Sequence, residues 1–385
     1  MKSVELFAGG GGLAIGLSRA GFEHVSVVEY NKDACETLRL NRCTGFGARL
    51  YEGDIRGFDY STIAEPVDLV SGGPPCQPFS LGGKHQAHQD NRDMFPEAVK
   101  AIRTLNPKAF ILENVKGLLR KSFAEYFQYI LLQLQYPSFP AQPQESWQAH
   151  LSRLQQQHEA TQGESEYQVS FKLVNAADYG VPQKRERVFI IGFRNDIKVQ
   201  WSFPEPTHSQ DALLWRQLVD FSYWDNHKLP SPVLSDKERA KAKKLQKQYD
   251  LGTFKHQPWV TVRDALQDLP DPRDEKHSGL LDHHDYKPGA RTYPGHTGSY
   301  IDAPSKTLKA GAHGVPGGEN MIRYHDGSVR YYTVRESARI QTFPDDFVFS
   351  GSWGEVMRQL GNAVPSQLAE IVGTSVFRAI NQSQG

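Results

Sequence analysis

Three side chains in this sequence offer chemistry that a fold alone does not require: the Cys76 thiol, the Glu113 carboxyl and the Arg187 guanidinium. Cys76 lies in Gly72–Ser80 (GGPPCQPFS), between a Pro-Pro and a Gln-Pro pair and just after the apolar run Val67–Ser71. Prolines fix φ and remove backbone donors, so the turn is stiff. A stiff turn at a strand end holds a side chain at one place in a cleft, as a nucleophile requires. The thiolate is the reactive form, so the site must lower the thiol pKa or bring a base. Cys35 and Cys43 lack this setting and read as small buried hydrophobes. Glu113 closes an apolar strand, Ala109–Glu113, where burial raises a carboxyl pKa. Arg185 and Arg187 stand two residues apart in Gln183–Arg187 (QKRER), on one face of a following strand. A lone Glu-Asn pair is more often a cap, and a lone basic run is more often solvated. A thiol, an acid and a guanidinium that serve one covalent mechanism outweigh both readings.

A second group of residues reads as a nucleotide pocket. Phe7–Leu13 (FAGGGGL) follows the strand Ser3–Phe7 and opens a helix at Leu13–Ala20. Glycines let a ligand approach the backbone, and a helix N-terminus favours anions. Glu29 ends the second strand about 20 residues on, where a carboxylate binds ribose hydroxyls. Asp54 ends a third strand and suits an adenine amino group. Taken alone, these features leave open a nucleotide site of unspecified kind or a tight turn with two capping carboxylates. The turn lacks GxGxxG spacing and no GxxxxGK[ST] follows, which disfavours NAD and ATP.

In this order along the chain, the segments resemble the cytosine-C5 DNA methyltransferases. GGPPCQPFS resembles the family's nucleophile motif, Glu113-Asn114-Val115 its acid motif and QKRER its arginine motif. Arg335–Phe347 (RESARIQTFPDDF) and Gly361–Pro365 (GNAVP) are similar to its last two motifs. The similarity spans the chain except Tyr136–Tyr167 and Trp201–Met321. Four consecutive glycines in the first motif and Lys184 are slight departures. The resemblance implies that Cys76 adds to C6 of a flipped-out cytosine, Glu113 contacts N3 and N4, and Arg187 contacts O2 beside Arg185. It implies the cofactor S-adenosyl-L-methionine, leaving as S-adenosyl-L-homocysteine. The implied pocket is Phe7, Ala8, Gly9, Gly11, Leu13, Glu29, Tyr30, Asp54, Ile55, Gly72, Pro74, Phe95, Asn362 and Val364. For double-stranded DNA it implies Ser80, Lys84 and Arg92 in a closing loop, together with Gln183. Arg291, Lys306, Lys309 and His313 are further candidates.

The surrounding elements point to an α/β fold. Strands Val25–Glu29, Val67–Ser71, Ala109–Glu113, Val169–Asn175 and Arg187–Phe193 alternate with helices such as Lys32–Asn41 and Met94–Leu105. This alternation predicts a doubly wound, mostly parallel, Rossmann-like sheet with a small irregular target-recognition domain. Residues 1–200 plus 345–385 form the expected discontinuous catalytic domain, 201–344 the recognition domain and 136–167 a surface insertion with a polar helix near Trp147–His158. Met321–Tyr324 and Ser328–Tyr332 read as a hairpin around Asp326-Gly327. Thr333 and Glu336 form a capping box that opens a helix at Arg335–Gln341. Pro365–Ile380 reads as a helix packing back on the sheet. Lys237–Lys247 (KERAKAKKLQK) reads as a solvated helix, with a phosphate-contacting face as the alternative.

Composition sets the outer bounds. The chain has 385 residues and a formal net charge of zero, which argues against bulk polyanion binding but not against a local basic groove. No run approaches the roughly 18 apolar residues of a membrane span. The N-terminus lacks a secretory pattern, so a cytoplasmic protein with no membrane partner is expected. Three cysteines without CxxC spacing predict neither a disulfide framework nor a zinc site. His283, His284 and His296 read as surface or DNA-groove residues rather than metal ligands. The expected protein is a monomer that methylates a short duplex sequence, paired with a restriction endonuclease or acting alone. Rival readings are an RNA cytosine methyltransferase of the same fold, a non-catalytic binding module and a nicotinamide oxidoreductase. The module has no need of Cys76, Glu113 and Arg187 together, and the oxidoreductase has no use for GGPPCQPFS.

Overall fold

Runs rich in Val, Ile, Leu and Phe build the central sheet. Its strands are β1 (Lys2–Leu6), β2 (Glu23–Glu29), β3 (Arg49–Glu52), β4 (Leu69–Gly72), β5 (Ala109–Val115), β6 (Tyr167–Asn175) and β7 (Glu186–Arg194). The computed structural model describes residues 1–41, 49–75, 93–249, 253–274, 279, 281–310 and 320–383. The sheet order is β3-β2-β1-β4-β5-β7-β6. Strands β1 to β5 pair in parallel, whereas β7 runs antiparallel to both β5 and β6. The doubly wound, mostly parallel sheet expected from the sequence is therefore present.

Side-chain alternation along the strands gives the sheet two buried faces. On β5, Phe110 and Leu112 face α3 (Phe95–Leu105), α4 (Ala124–Gln135) and α5 (Trp147–Ala160). Ala109 and Ile111 face α1 (Gly12–Arg19) and the C-terminal α12 (Ser366–Gln382). The last helix thus returns to the sheet as the sequence suggests. Gly16 makes that contact close: a Cβ there would lie 2.4 Å from Ala369 Cβ and 2.5 Å from Ser366 O. A third cluster joins α2 (Lys32–Leu40), α10 (Val334–Ile340) and α11 (Trp353–Asn362) through Leu38, Ala338, Phe343, Phe347 and Leu360. Helix α10 begins at the anticipated capping box: Glu336 N–H donates to Thr333 Oγ1 at 3.1 Å, and Thr333 N–H donates to Glu336 Oε2 at 2.9 Å.

Two regions differ from expectation. Residues 136–167 do more than cover a surface. Leu151 and Leu154 of α5 are buried in the main core, and His150 bridges Tyr129 OH and the Phe139 carbonyl at 2.9 Å each. Residues 201–332 hold more helix than the loops and short strands expected. They contain α6 (Gln210–Leu218), α7 (Ser222–Asn226), α8 (Asp236–Gln248) and α9 (Val262–Leu266). Short strands β8 (His208–Ser209), β9 (Gln257–Pro258) and β10 (Ser299–Tyr300) accompany the expected hairpin, β11 (Met321–Arg323) with β12 (Val329–Tyr331). Two small cores hold this region. One gathers Val262, Ile301, Leu308 and Ile322 around Ile340, and the other gathers Leu213, Tyr223, Trp224 and Trp259 around Ala177. His284 is no surface residue: it is buried between Thr333 Oγ1 and the Pro270 carbonyl. Among the described residues, no helix is long and apolar enough to cross a membrane.

The α1–α12 contact yields a test. Gly16→Ala should destabilise the protein by ~1–2 kcal/mol even after the ~1 kcal/mol that Ala gains in helix propensity. Chemical denaturation checks this, and an unchanged midpoint would mean that the two helices separate without cost.

Candidate active site

Strands β1, β2, β4 and β5 direct their carboxyl ends at one cavity of about 970 Å³. Open α/β sheets bind ligands there because the loops diverge at that edge. After β1 the chain turns through Phe7, Gly9 and Gly11 with φ of 55°, 55° and 86°. Glycine takes such angles freely, whereas Phe7 is strained. Gly12 admits the returning C-terminal segment, since a Cβ there would sit 2.3 Å from Val364 O. The Gly11 N-cap offers α1 no side chain. The Glu29 carboxylate is fixed by two backbone donors, Gly9 N–H to Oε2 and Asn31 N–H to Oε1, each at 2.7 Å. Tyr30 stands 74% exposed on the rim. Asp54 is gripped by the Arg56 side chain and N–H, which hold its carboxyl below the usual range.

The opposite wall carries the charged pair. Glu113 Oε1 lies 2.7 Å from Arg187 Nε, and both side chains are about nine-tenths buried. The antiparallel register explains this contact: Glu113 faces Phe189 and Val115 faces Arg187, so Glu113 and Arg187 are diagonal neighbours on one face. Burial raises the Glu113 pKa, opposed by Arg187 and Arg185. Burial lowers the Arg187 pKa, opposed by Glu113. Glu113 Oε1 has no well-directed hydrogen bond, so its contact with Arg187 is chiefly one of charge. Asn114 Nδ2 donates to Pro74 O at 3.0 Å, and Met94 N–H donates to Pro75 O at 3.1 Å. These bonds pin the turn that precedes Cys76. Gly73 leaves room for the acid, since its Cβ would come within 3.2 Å of Glu113 Oε2.

Most anticipated pocket residues meet at this cavity. Phe7, Ala8, Gly9, Leu13, Glu29, Tyr30, Asp54, Ile55, Pro74, Asn362 and Val364 line it with Glu113 and Arg187. Three do not. Gly11 caps α1, Gly72 packs on Leu6 with no space for a Cβ, and Phe95 is fully buried behind Met94, which does face the cavity. Cys76, Ser80, Lys84, Arg92 and His313 lie outside the described residues.

Two anticipated roles are corrected. Gln183, expected at DNA, is fully buried: its amide donates to Gln341 Oε1 at 3.0 Å, and its Oε1 accepts from Leu308 N–H at 2.9 Å. Arg185, expected to act beside Arg187, is also fully buried and does not line the cavity. Its guanidinium donates to Leu308 O at 3.1 Å and to Gly361 O at 2.7 Å. Gln341 Nε2 continues the network to the Leu360 and Ala363 carbonyls. Arg291 remains on the surface beside Tyr293, and Lys306 is exposed and donates to Thr297 Oγ1. Lys309 is exposed, with its backbone paired to the Asn320 amide.

Glu5, Arg358 and Gln359 line the cavity without having been anticipated. A lone acid inside the apolar first strand was the available sign for Glu5. Glu5 and His24 approach to 4.0 Å but are not an ion pair. Burial pushes Glu5 up to about 8 and His24 down to about 4, so both are neutral near pH 7. His24 bridges Ser3 Oγ and the Ala14 carbonyl, and Ser71 Oγ donates to Glu5 Oε2.

A family model described as C-5 cytosine-specific DNA methylase matches residues 1–139 and 150–378. The type II methyltransferase M.PspPI of Psychrobacter sp. (strain TA137) is 33% identical, over 98% of this chain and 79% of that protein. M.NgoMIV of Neisseria gonorrhoeae is 33% identical, over 99% of this chain and 98% of that protein. Among solved structures, S. pombe Dnmt2 methyltransferase aligns with a TM-score of 0.56 at 17% identity, covering 99% of both chains. At that identity the likeness is one of fold.

The buried groups yield two tests. Arg185→Lys cannot span both carbonyls and should cost ~2–4 kcal/mol in chemical denaturation, because buried acceptors lose charged donors. Glu5 titrates near 4.5 when unfolded and about 8 when folded. Its contribution to stability is therefore complete below pH 4.5 and lost as pH rises to about 8. Glu5→Gln should gain on the unmodified protein by a margin that widens across this range. Urea midpoints from pH 5 to 8 measure it, and a constant margin sinks the assignment.

Proposed function

The chain belongs to the C-5 cytosine-specific DNA methylase family, and from that premise we propose how its residues divide the work. Its activity is that of a DNA (cytosine-5-)-methyltransferase. The observation that carries the site assignment is the buried Glu113–Arg187 pair, set across the cavity from Glu29 and beside the pinned Pro74-Pro75 turn.

Enzymes of this family use S-adenosylmethionine, and the cavity fits it. Glu29 is fixed by Gly9 and Asn31 with lone pairs to spare for ribose hydroxyls. Tyr30 offers an exposed ring on the rim, and the Gly9–Gly12 turn admits close approach. Asn362 and Val364 close the pocket from the C-terminal side. When bound, S-adenosylmethionine supplies an electrophilic methyl group.

Cytosine C5 is too poor a nucleophile to react unaided, so the protein must activate the ring. In a duplex the target base is stacked, and rotating it out costs a few kcal/mol. The Cys76 thiolate then adds to C6. Electrons move toward N3 and O2, where the Glu113 carboxyl meets N3 and the Arg187 guanidinium meets O2. Burial suits Glu113 to hold a proton at that point. The addition leaves C5 enamine-like and able to attack an electrophilic carbon. Loss of the C5 proton and expulsion of the Cys76 sulfur complete the exchange. The type II names of the relatives support a role in host DNA protection beside a cognate endonuclease.

Bisulfite sequencing of plasmid DNA from expressing cells tests this reading. Methylated cytosines should appear within one short sequence and vanish in Cys76→Ser, which keeps cofactor binding. Full activity in Cys76→Ser, or soluble unmodified protein that leaves the DNA unmethylated, overturns it. Glu113→Gln should slow methyl transfer by about 10²–10⁴-fold. A raised carboxyl pKa keeps the acid protonated to higher pH, so the rate should fall on the alkaline side and Glu113→Gln should flatten that limb.

A further inference from the structure

The lysine-rich helix α8 carries two exposed basic stripes. Ala242 and Leu245 are its buried residues. At 3.6 residues per turn, Lys237, Lys241 and Lys244 fall on one side of that face, and Lys243 and Lys247 on the other. Acids on the helix are already engaged: Asp236 pairs with Arg239, and Glu238 closes the capping box with Ser235. Among the described residues, neither Lys241 nor Lys244 has an acidic partner within ion-pair distance.

Lys184 stands near α8: the Trp259 ring beneath it packs with Leu213 of α6, and α6 packs against α8. The Lys184 ammonium lies 5.1 Å over the Trp259 ring, and its pKa is lowered by burial and then by Lys241. Lys184 is fixed through its backbone: its N–H donates to Ser305 O, and its carbonyl accepts from Thr307 Oγ1, both at 2.7 Å. Three residues on, Arg187 enters the cavity wall. Lys184, Lys241 and Lys244 are therefore three exposed cations with no acidic partner among the described residues, in a chain whose net charge is zero. A local excess of this kind calls for a polyanion. Lysine is a point charge on a flexible stem, suited to phosphate oxygens rather than to reading base edges.

We propose that Lys241 and Lys244 of α8, with Lys184, form a phosphate-contacting ridge that holds the duplex flanking the target cytosine. The inference rests on the methyltransferase reading above. Its test is steady-state methyl transfer to a duplex carrying the target sequence, across a range of salt concentrations. Lys241→Ala/Lys244→Ala should raise KM for DNA about tenfold and reduce the slope of log KM against log salt by about 2. The kcat at saturating DNA and the methylated sequence should stay the same. Lys243→Ala/Lys247→Ala, on the opposite stripe, should match the unmodified enzyme. Unchanged KM and slope would overturn the proposal, as would equal losses in both variants or an altered target sequence. Failure of the unmodified protein to methylate duplex DNA would instead remove the functional reading, and the ridge with it.

Discussion

The reacting edge of this protein depends on one strand that runs backwards. Strands β1 to β5 bring their carboxyl ends to the cavity, so a parallel neighbour of β5 would deliver its own carboxyl end there too. Because β7 is reversed, its first residues arrive instead, and Arg187 comes diagonally beside Glu113. Burying such a pair is costly in itself, because both ions leave water. Mutual charge repays part of that cost and holds both groups at the wall. The same burial that opposes ionisation of Glu113 keeps a proton on it to higher pH, as the proposed contact with N3 requires. Stability and chemistry therefore make opposite demands on this carboxyl, and Arg187 sets the balance.

Behind this edge lies a second buried polar system with a different task. Gln183 and Gln341 bond each other, while Arg185 holds the carbonyls of Leu308 and Gly361 and Gln341 those of Leu360 and Ala363. The segment before β7 is thereby tied to the end of α11 and to the 305–308 stretch of the irregular region. Gly361 allows the closeness, since a Cβ there would come within 2.3 Å of Ala310 N. The network supports the cavity wall from outside the cavity.

How far the sequence could be read follows from the range of each interaction. Strand β5, the Thr333–Glu336 capping box and the β11–β12 hairpin depend on neighbouring residues, so they stood in the sequence nearly as they stand in the fold. Glu113, Arg187 and the glycine turn were recognisable because motif spacing records their joint task. Gln183 and Arg185 share a motif with Arg187, yet they bond to Leu308, Gln341 and Gly361, all more than a hundred residues away. Arg358 and Gln359 reach the cavity only because α11 packs beside the first glycine turn. Phe95 and Met94 show the limit at one-residue resolution: the helix turn, not the motif, decides which of them faces the cavity. The packing of α5 was hidden because its buried residues sit in a segment of polar composition.

The junction between Pro182–Arg185 and Ser305–Leu308 has an evolutionary consequence. The irregular region supplies mainly main-chain groups there: the Ser305 N–H and carbonyl, the Leu308 N–H and carbonyl, and one hydroxyl from Thr307. Main-chain groups are common to nearly every amino acid. Substitutions between Trp201 and Tyr332 can therefore spare this junction, provided that the side chains packed on Ala177 and Ile340 are kept. Variation inside the segment then falls on its own surface, and the sheet keeps the same points of attachment.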